Sequence, residues 1–514
     1  MSISTPLVRT LAVALLAALA LGIGNAQREI VVAQGIDIHG WDIHAHSTTA
    51  VEAVHINVFD YLVFRNADGD LEPGLALTWE PVSDTAWRFE LREGVVFHDG
   101  TPFTGEDVKF TFERVANDSS LQQWDNFRQM REVEVVGPYE ILIHTQDPDG
   151  NPAPDPVLIN RVSRLSAGIV PKHYVEEIGW EAFGEAPMGT GPYRFVEWRR
   201  DDRIILEAFD DHWRGRPAFD RVVHRTIPED STRVAELITG GVHIATNVPP
   251  QDVDRVLATG AVAVEQQPTT RIMMLIMNTH EDAITGDPRI REAIELAIDN
   301  QLLVDAVMDG LGVPTMARHS PGISGAPMEL FGTYRYDPER AAELIREAGY
   351  EPSDITIKVE GPAGRYPLDA ELAEVIALML SEIGVNTEME VLEWSAFQSR
   401  IWNADNITHF ALMGLANSMF DNWFSMRAIQ CDAAYRNRVH WCNERFDELM
   451  ALAETEVDLA KRTEYLHEAT YLVVEERPWI TLFQSEVLVG VSTDVAWQPR
   501  QDELLWMFAA QPLD

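Results

Sequence analysis

"FELREGVVFHDGTPFTGEDVKF", residues 89–110, decides how the chain is read, because its His98-Asp99 pair is either catalytic or a bend between two elements. Asp99-Gly100 with Pro102 behind it is turn chemistry between apolar stretches. Thr104 and Asp107 stand at capping-box spacing, so a helix is expected over "EDVKFTFERV". "WRFEL" (Trp87–Leu91) alternates in the two-residue period of a strand. The stretch is therefore read as strand, turn and helix, with His98 and Asp99 turning the chain.

The neighbouring text has the same grain. From Glu29 to about Pro268 the chain is rich in short strands, among them "EILIHT" (Glu140–Thr145). "GPYRFVEWRRDDRIILEAF" (Gly191–Phe209) reads as two strands joined at an Arg-Arg-Asp-Asp turn, and the proline-rich run 148–156 reads as a surface loop. From about Arg271 strands alternate with capped helices. "RIMMLIMN" is a buried strand, and "DPRIREAIELAIDNQLLVDAVMDGLG" is expected to be helical, with Pro288 in its first turn and Gly310 and Gly312 near its end. In "YDPERAAELIREAGY" Asp337 caps, Pro338 starts the helix and Gly349 ends it. "ITIKVE", "DAELAEVIALMLSEIG" and "NTEMEVLEW" form a strand–helix–strand unit, which argues for a largely parallel, helix-covered sheet. The closing "PWITLFQSEVLVGVS" is strand-like again, so the tail is expected to return to the first half.

Composition narrows the class. Of 514 residues 46% are hydrophobic and 24% charged, a globular balance sufficient for two or three domains. Lys and Arg number 40 against 82 Asp and Glu, a formal charge of −42, and this surface repels nucleic acid and anionic membranes. Arg9, the apolar "TLAVALLAALALGIG" and "GNAQ" read as a signal peptide cleaved near Ala26, too short to span a membrane and with no cysteine after it for lipid attachment. An exported protein meets an oxidising compartment, so Cys431 and Cys442 are expected to pair, contributing about 3 kcal/mol by loop entropy. The histidines His39, His44, His46 and His55 match no compact ligand spacing, so neither metal nor cofactor is assigned. Hydrolase and nucleotide signatures such as Gly-x-Ser-x-Gly, His-Glu-x-x-His and Gly-x-x-x-x-Gly-Lys are absent, so no catalytic residues are assigned.

The stretch Gly74–Val115, which contains the opening motif, resembles the N-terminal signature of the family 5 extracellular solute-binding proteins, the peptide- and nickel-type receptors of ABC importers. "GTGPYRFVEW" (Gly189–Trp198), "DPRIREAIELAID" (Asp287–Asp299), Tyr334–Tyr350 and Arg445–Phe483 continue the resemblance in order. It implies an α/β, two-lobed periplasmic-binding-protein-like fold of class II, with an extra N-terminal subdomain and the ligand enclosed between lobes. It also implies the division: residues 1–26 leader, 27–267 lobe I with an inserted subdomain at roughly 60–188, 268–481 lobe II, and 482–514 returning to lobe I. Crossovers around Gln267–Arg271 and Trp479–Gln484 would be the hinge. The implied function is a periplasmic, monomeric receptor, not an enzyme. It captures a small solute, foremost a di- or oligopeptide, by hinge closure, and delivers it to inner-membrane permease subunits. Opine-like conjugates, oligosaccharides and nickel or other metal chelates are the alternative cargoes, and a secreted hydrolase is the remotest reading.

The resemblance also nominates ligand contacts. Arg365 stands where short-peptide binders place an arginine for the ligand carboxylate, and a planar guanidinium suits that task. Counting back from Cys431 puts Asn417 where relatives hold the ligand amine with an aspartate, and Asp421 is the nearest carboxylate that could substitute. Trp394, Trp423 and Phe420 are the aromatic candidates, and Thr48 and Thr49 in "HSTTAVEA" are the hydroxyl donors expected beside the ligand.

Overall fold

Two long strands, Val262–Met277 and Trp479–Ser492, pair antiparallel and run through the middle of the molecule. Their burial explains their composition: beyond Thr269 every residue of the first is buried, which suits "RIMMLIM" and no alternating pattern. The computed structural model describes residues 28–46, 48–401, 407–431 and 439–513, and the expected leader, residues 1–26, lies outside them.

The two strands belong to an 11-stranded mixed sheet. On one flank stand Phe410–Leu415, Thr356–Ala363 and Asn386–Glu393, the last two paired in parallel from Thr356↔Asn386 to Ala363↔Glu393, as the strand–helix–strand reading requires. On the other flank stand Ile244–Ala245, Glu29–Gln34, Arg221–Thr226, Arg203–Ala208 and Tyr193–Arg199. The closing strand thus pairs with Val262–Met277 and, through Gly490 and Val491, with the Ile244–Ala245 strand of the N-terminal half.

Burial separates the sheet into two lobes. One core gathers Ile272–Met277, Leu372, Ile376, Phe410–Met413 and Phe483. The other gathers Ile30, Val32, Phe89, Phe112, Ile141, Tyr193, Val487, Val489 and Val491, while Leu488 between them belongs to the first core. Each fully buried aliphatic or aromatic side chain contributes about 1.5–3 kcal/mol, so either core is large enough to hold a lobe together. Between them the long strands slip register: Pro268 pairs with Glu486 and Ile272 with Gln484. Thr269 bridges the irregularity, its hydroxyl donating to the Ser485 carbonyl at 2.7 Å and its carbonyl accepting from Gln484 Nε2 at 2.7 Å. The slip lies opposite Ser485, one residue beyond Trp479–Gln484, while Gln484 itself stays in register with Ile272 and Val313.

The stretch 89–110 forms strand, turn and helix. Its strand, Ala86–Leu91, joins a four-stranded antiparallel sheet with Ala76–Ser83, Glu140–Thr145 and Met130–Gly137. Asp99 Oδ1 accepts from the Thr101 N–H at 2.9 Å and its hydroxyl at 2.7 Å, and Gly100 takes the left-handed conformation, φ +86°. The helix Gly105–Asn117 follows, with Asp107 accepting from the Thr104 N–H at 2.9 Å. His98 is a strut: Nε2 donates to the Gly191 carbonyl at 3.0 Å and Nδ1 accepts from the Gly189 N–H at 3.3 Å. Burial lowers its pKa to about 4, so it stays neutral and keeps both contacts. Gly189 and Gly191 lie so close to the Val58 backbone that a Cβ on either would stand 2.1 or 2.5 Å from it.

One element differs from its expectation. The helix begun at Pro288 stops at Ala297, and a second short helix starts at Asn300. Asp299 causes the break: its Oδ1 accepts from the N–H groups of Gln301 and Leu302 at 3.1 Å each, capping a new helix instead of continuing the old one. The run 148–156 is a loop as expected, but Asp155 within it is buried and holds Arg161 at 2.6 Å. Cys431 and Cys442 are bonded as expected, with Cα atoms 4.9 Å apart.

Candidate functional site

Between the two cores lies a cleft enclosing about 1320 Å³ of empty space, its mouth included. Thr48, Thr49 and Glu52 line it from the wall of the N-terminal core, and Tyr366, Trp394 and Met413 line it from the other. Arg271, within the slipped segment between Pro268 and Ile272, also lines it.

Arg365 is presented by a loop that the sequence builds with care. The strand Thr356–Ala363 ends at Gly364, φ +80°, and the next helix starts at Asp369. The Asp369 carboxylate folds back and accepts the backbone N–H groups of Gly364, Arg365, Tyr366 and Ala370 at 2.9–3.0 Å. Burial nonetheless raises Asp369 to about pKa 6, against the pull of those four donors. So fixed, Arg365 lies over the Tyr366 and Trp394 rings, 4.9 and 5.5 Å from their centres. It is 8% exposed, its Nε is buried without a hydrogen-bond partner, and no carboxylate closes on it among the described residues. Burial, then the nearby Arg271, lowers its pKa, though a guanidinium remains charged. Arg271 itself is satisfied by a forked pair to Glu503 at 2.9 Å and by the Gly414 carbonyl at 2.7 Å. Trp394 also brings a buried indole N–H without a partner.

Of the nominated residues, Arg365, Trp394, Thr48 and Thr49 line the cleft. Asn417, Asp421, Trp423 and Phe420 do not, and the structure gives each other work. Asn417 Nδ2 donates to the Asp421 carbonyl at 2.8 Å and to Ser425 Oγ at 2.7 Å, while Oδ1 accepts the Met419 N–H at 3.1 Å. Its amide therefore ties up its own loop, and its neighbours Ala416 and Ser418 are the ones facing the cleft. Asp421 caps the helix Asn422–Arg427 and pairs in fork fashion with Arg462 at 2.8 and 2.9 Å, both side chains almost fully buried. Trp423 is fully buried with its N–H on the Met450 carbonyl at 3.2 Å, and Phe420 packs under Arg65 at 4.4 Å.

The cleft also holds charged residues that the sequence did not single out. Arg164, Arg318 and Arg427 line it with Arg271 and Arg365, against two lining acids, Glu52 and Asp125. Arg427 bridges to Asp125 at 2.7 Å. Arg164 holds Gln123 Oε1 at 2.7 Å, and Arg318 holds the Ala416 and Ser425 carbonyls. Glu52 is 5% exposed, with Oε1 lacking a partner, and burial raises it to about pKa 7. A signal existed: charged residues inside apolar runs such as "TTAVEAVHI" and "FSMRAIQ" face something other than solvent. No group of three or more His, Cys, Asp or Glu able to hold a metal occurs among the described residues.

A two-lobed α/β fold with a solute-sized cleft between its lobes defines a binding protein. The model of the bacterial extracellular solute-binding proteins, family 5 (middle), matches residues 70–436, and the chain belongs to that family. It is 26% identical over 475 residues to the dipeptide-binding protein of Escherichia coli K12, covering 87% of this chain and 88% of that protein. Among solved structures it is similar to the Helicobacter pylori binding protein DppA in complex with the peptide STSA, with a TM-score of 0.85 and 23% identity over 95% of this chain and 98% of the other. AgaA of A. tumefaciens R10, in complex with agropinic acid, gives a TM-score of 0.83 and 21% identity over 95% and 99%.

Proposed function

We propose that this chain is the exported receptor of an ABC importer and captures a carboxylate-bearing solute, foremost a di- or oligopeptide. The lobes close on it at the register slip around Thr269 and Ser485, and the closed form is handed to the inner-membrane permease. In this reading the leader is removed near Ala26 without lipid attachment. The protein acts as a monomer, uses no cofactor, catalyses nothing and leaves nucleic acid alone, in keeping with its charge of −42.

One observation carries the cargo class: a buried guanidinium, fixed by the Asp369 loop and stacked on two rings, that has no anion of its own. A carboxylate is the complement of that fork. Thr48, Thr49 and Trp394 would contact the remainder of the ligand. The enclosure of the Asn417 amide in its own loop favours a second reading, a non-peptide acid such as an opine-like conjugate. A thermal-shift panel separates the two. Di- and tripeptides with a free C-terminus are expected to raise Tm, while their C-terminal amides do not. A ligand at about 100 times its Kd adds roughly 2.7 kcal/mol. Stabilisation by conjugated acids and by no peptide would replace the first reading with the second, and equal stabilisation by acids and amides would contradict both.

A further inference from the structure

We propose that Glu52 receives the cationic end of the ligand, so that the cleft selects an amphoteric solute with its carboxylate on Arg365 and its ammonium on Glu52. This deepens the receptor reading above and rests on it.

The placement carries the inference. Glu52 sits on the short helix Thr49–His55 among buried Val51, Ala53, Val54 and His55, yet its side chain reaches the lining of the cleft. It is 5% exposed and forms no side-chain hydrogen bond or ion pair among the described residues. Arg164 and Tyr61 are the groups that share its field. Arg164 already holds Gln123 Oε1 at 2.7 Å and reaches Ser418 Oγ at 3.5 Å, and the buried Tyr61 hydroxyl has no partner. Burying a carboxyl without a donor is unfavourable. The other acids nearby are already matched: Asp125 to Arg427 at 2.7 Å, Glu503 to Arg271 at 2.9 Å and Asp421 to Arg462 at 2.8 Å. Glu52 and Arg365 are thus an acid and a base on the two walls of one cleft, each buried and each lacking a counter-ion, and a ligand carrying both complements would satisfy both.

Calorimetric titration with tri-alanine, N-acetyl-tri-alanine and tri-alanine amide tests this on the mature protein, Glu52→Gln, Glu52→Asp and Arg365→Met. Tri-alanine is expected to bind the unmodified protein, and acetylation or Glu52→Gln each to weaken binding at least tenfold. The two losses should not add, because both remove one contact. Glu52→Asp, which keeps the charge, should retain part of the preference for the free amine, and amidation should matter to every form except Arg365→Met. If Glu52→Gln binds tri-alanine and still discriminates against the acetyl form as the unmodified protein does, Glu52 is not the amine site and the receptor reading survives alone. If none of the three peptides binds the unmodified protein, the peptide reading falls and this inference with it.

Discussion

Arg365 and Glu52 show at the scale of single residues how a site holds energy in reserve. A buried guanidinium without a counter-ion opposes folding, so Arg365→Met is expected to leave the empty protein at least as stable while removing its response to carboxylates; thermal melts with and without ligand measure both. Glu52 gives a pH signature. Its pKa rises from 4.5 unfolded to about 7 folded, because burial disfavours the ion. The folded state therefore holds the proton more tightly, and the stability this group lends is complete below its unfolded pKa and lost as pH rises through the folded one. Relative to Glu52→Gln, the empty protein should lose up to about 3 kcal/mol between roughly pH 4.5 and 8. A flat difference in Tm between the two across that range would contradict the burial of an unpaired carboxyl. Asp421 is the contrasting case. Removing its carboxylate strands the buried Arg462, so Asp421→Ala should cost about 3–5 kcal/mol without changing which ligands bind, read by denaturant unfolding beside titration.

At the scale of elements, the loop from Gly364 to Asp369 matters most. Four backbone N–H groups on one carboxylate fix it, so Asp369→Ala is expected to lose about 2–4 kcal/mol of stability and carboxylate binding together, unlike Arg365→Met, which should lose only the binding. The comparison of melts and titrations for the two variants separates a positioning residue from a contacting one. Elements are also where the sequence was most legible. Turn and cap chemistry placed the Asp99 turn, the Thr104 helix start and the Asp337 cap, because each is decided by residues within four positions. The same chemistry acts at Asp299, where a capping aspartate inside a helical period breaks the helix. The site was less legible. Arg365, Trp394, Thr48 and Thr49 reached the cleft through family resemblance. Asn417 and Asp421 did not, since linear counting cannot reveal that Ser425 and Arg462, eight and 41 positions away, claim their polar atoms.

The whole molecule adds what no local window contains. The helix Trp124–Phe127, whose Phe127 belongs to one core, meets the helix Asn422–Arg427, whose Met426 belongs to the other, through the buried Asp125–Arg427 pair at 2.7 Å. Gln129 reaches Glu454 across the same seam. These contacts hold the lobes together over the cleft, so Asp125→Ala should shift the empty protein toward the open form. Small-angle scattering is expected to show a larger radius of gyration for that variant, recovering on ligand addition, and an unchanged radius would mean the pair does not latch the closed state. The seam joins residues about 300 positions apart, which is why the chain text gave no hint of it. The return of the final strand to the N-terminal core is legible in the strand-like closing text and in the family resemblance, though neither names its partner Ile244–Ala245.

Arg365 is expected to hold a carboxylate-bearing solute inside the cleft. Native mass spectrometry of the protein taken from its own exported compartment, beside Arg365→Met prepared in the same way, tests it most directly. A non-covalently retained small acid, peptide masses foremost, is expected in the unmodified protein and little or none in the variant. A retained ligand without a carboxyl group, or the same ligand held equally by Arg365→Met, would contradict it.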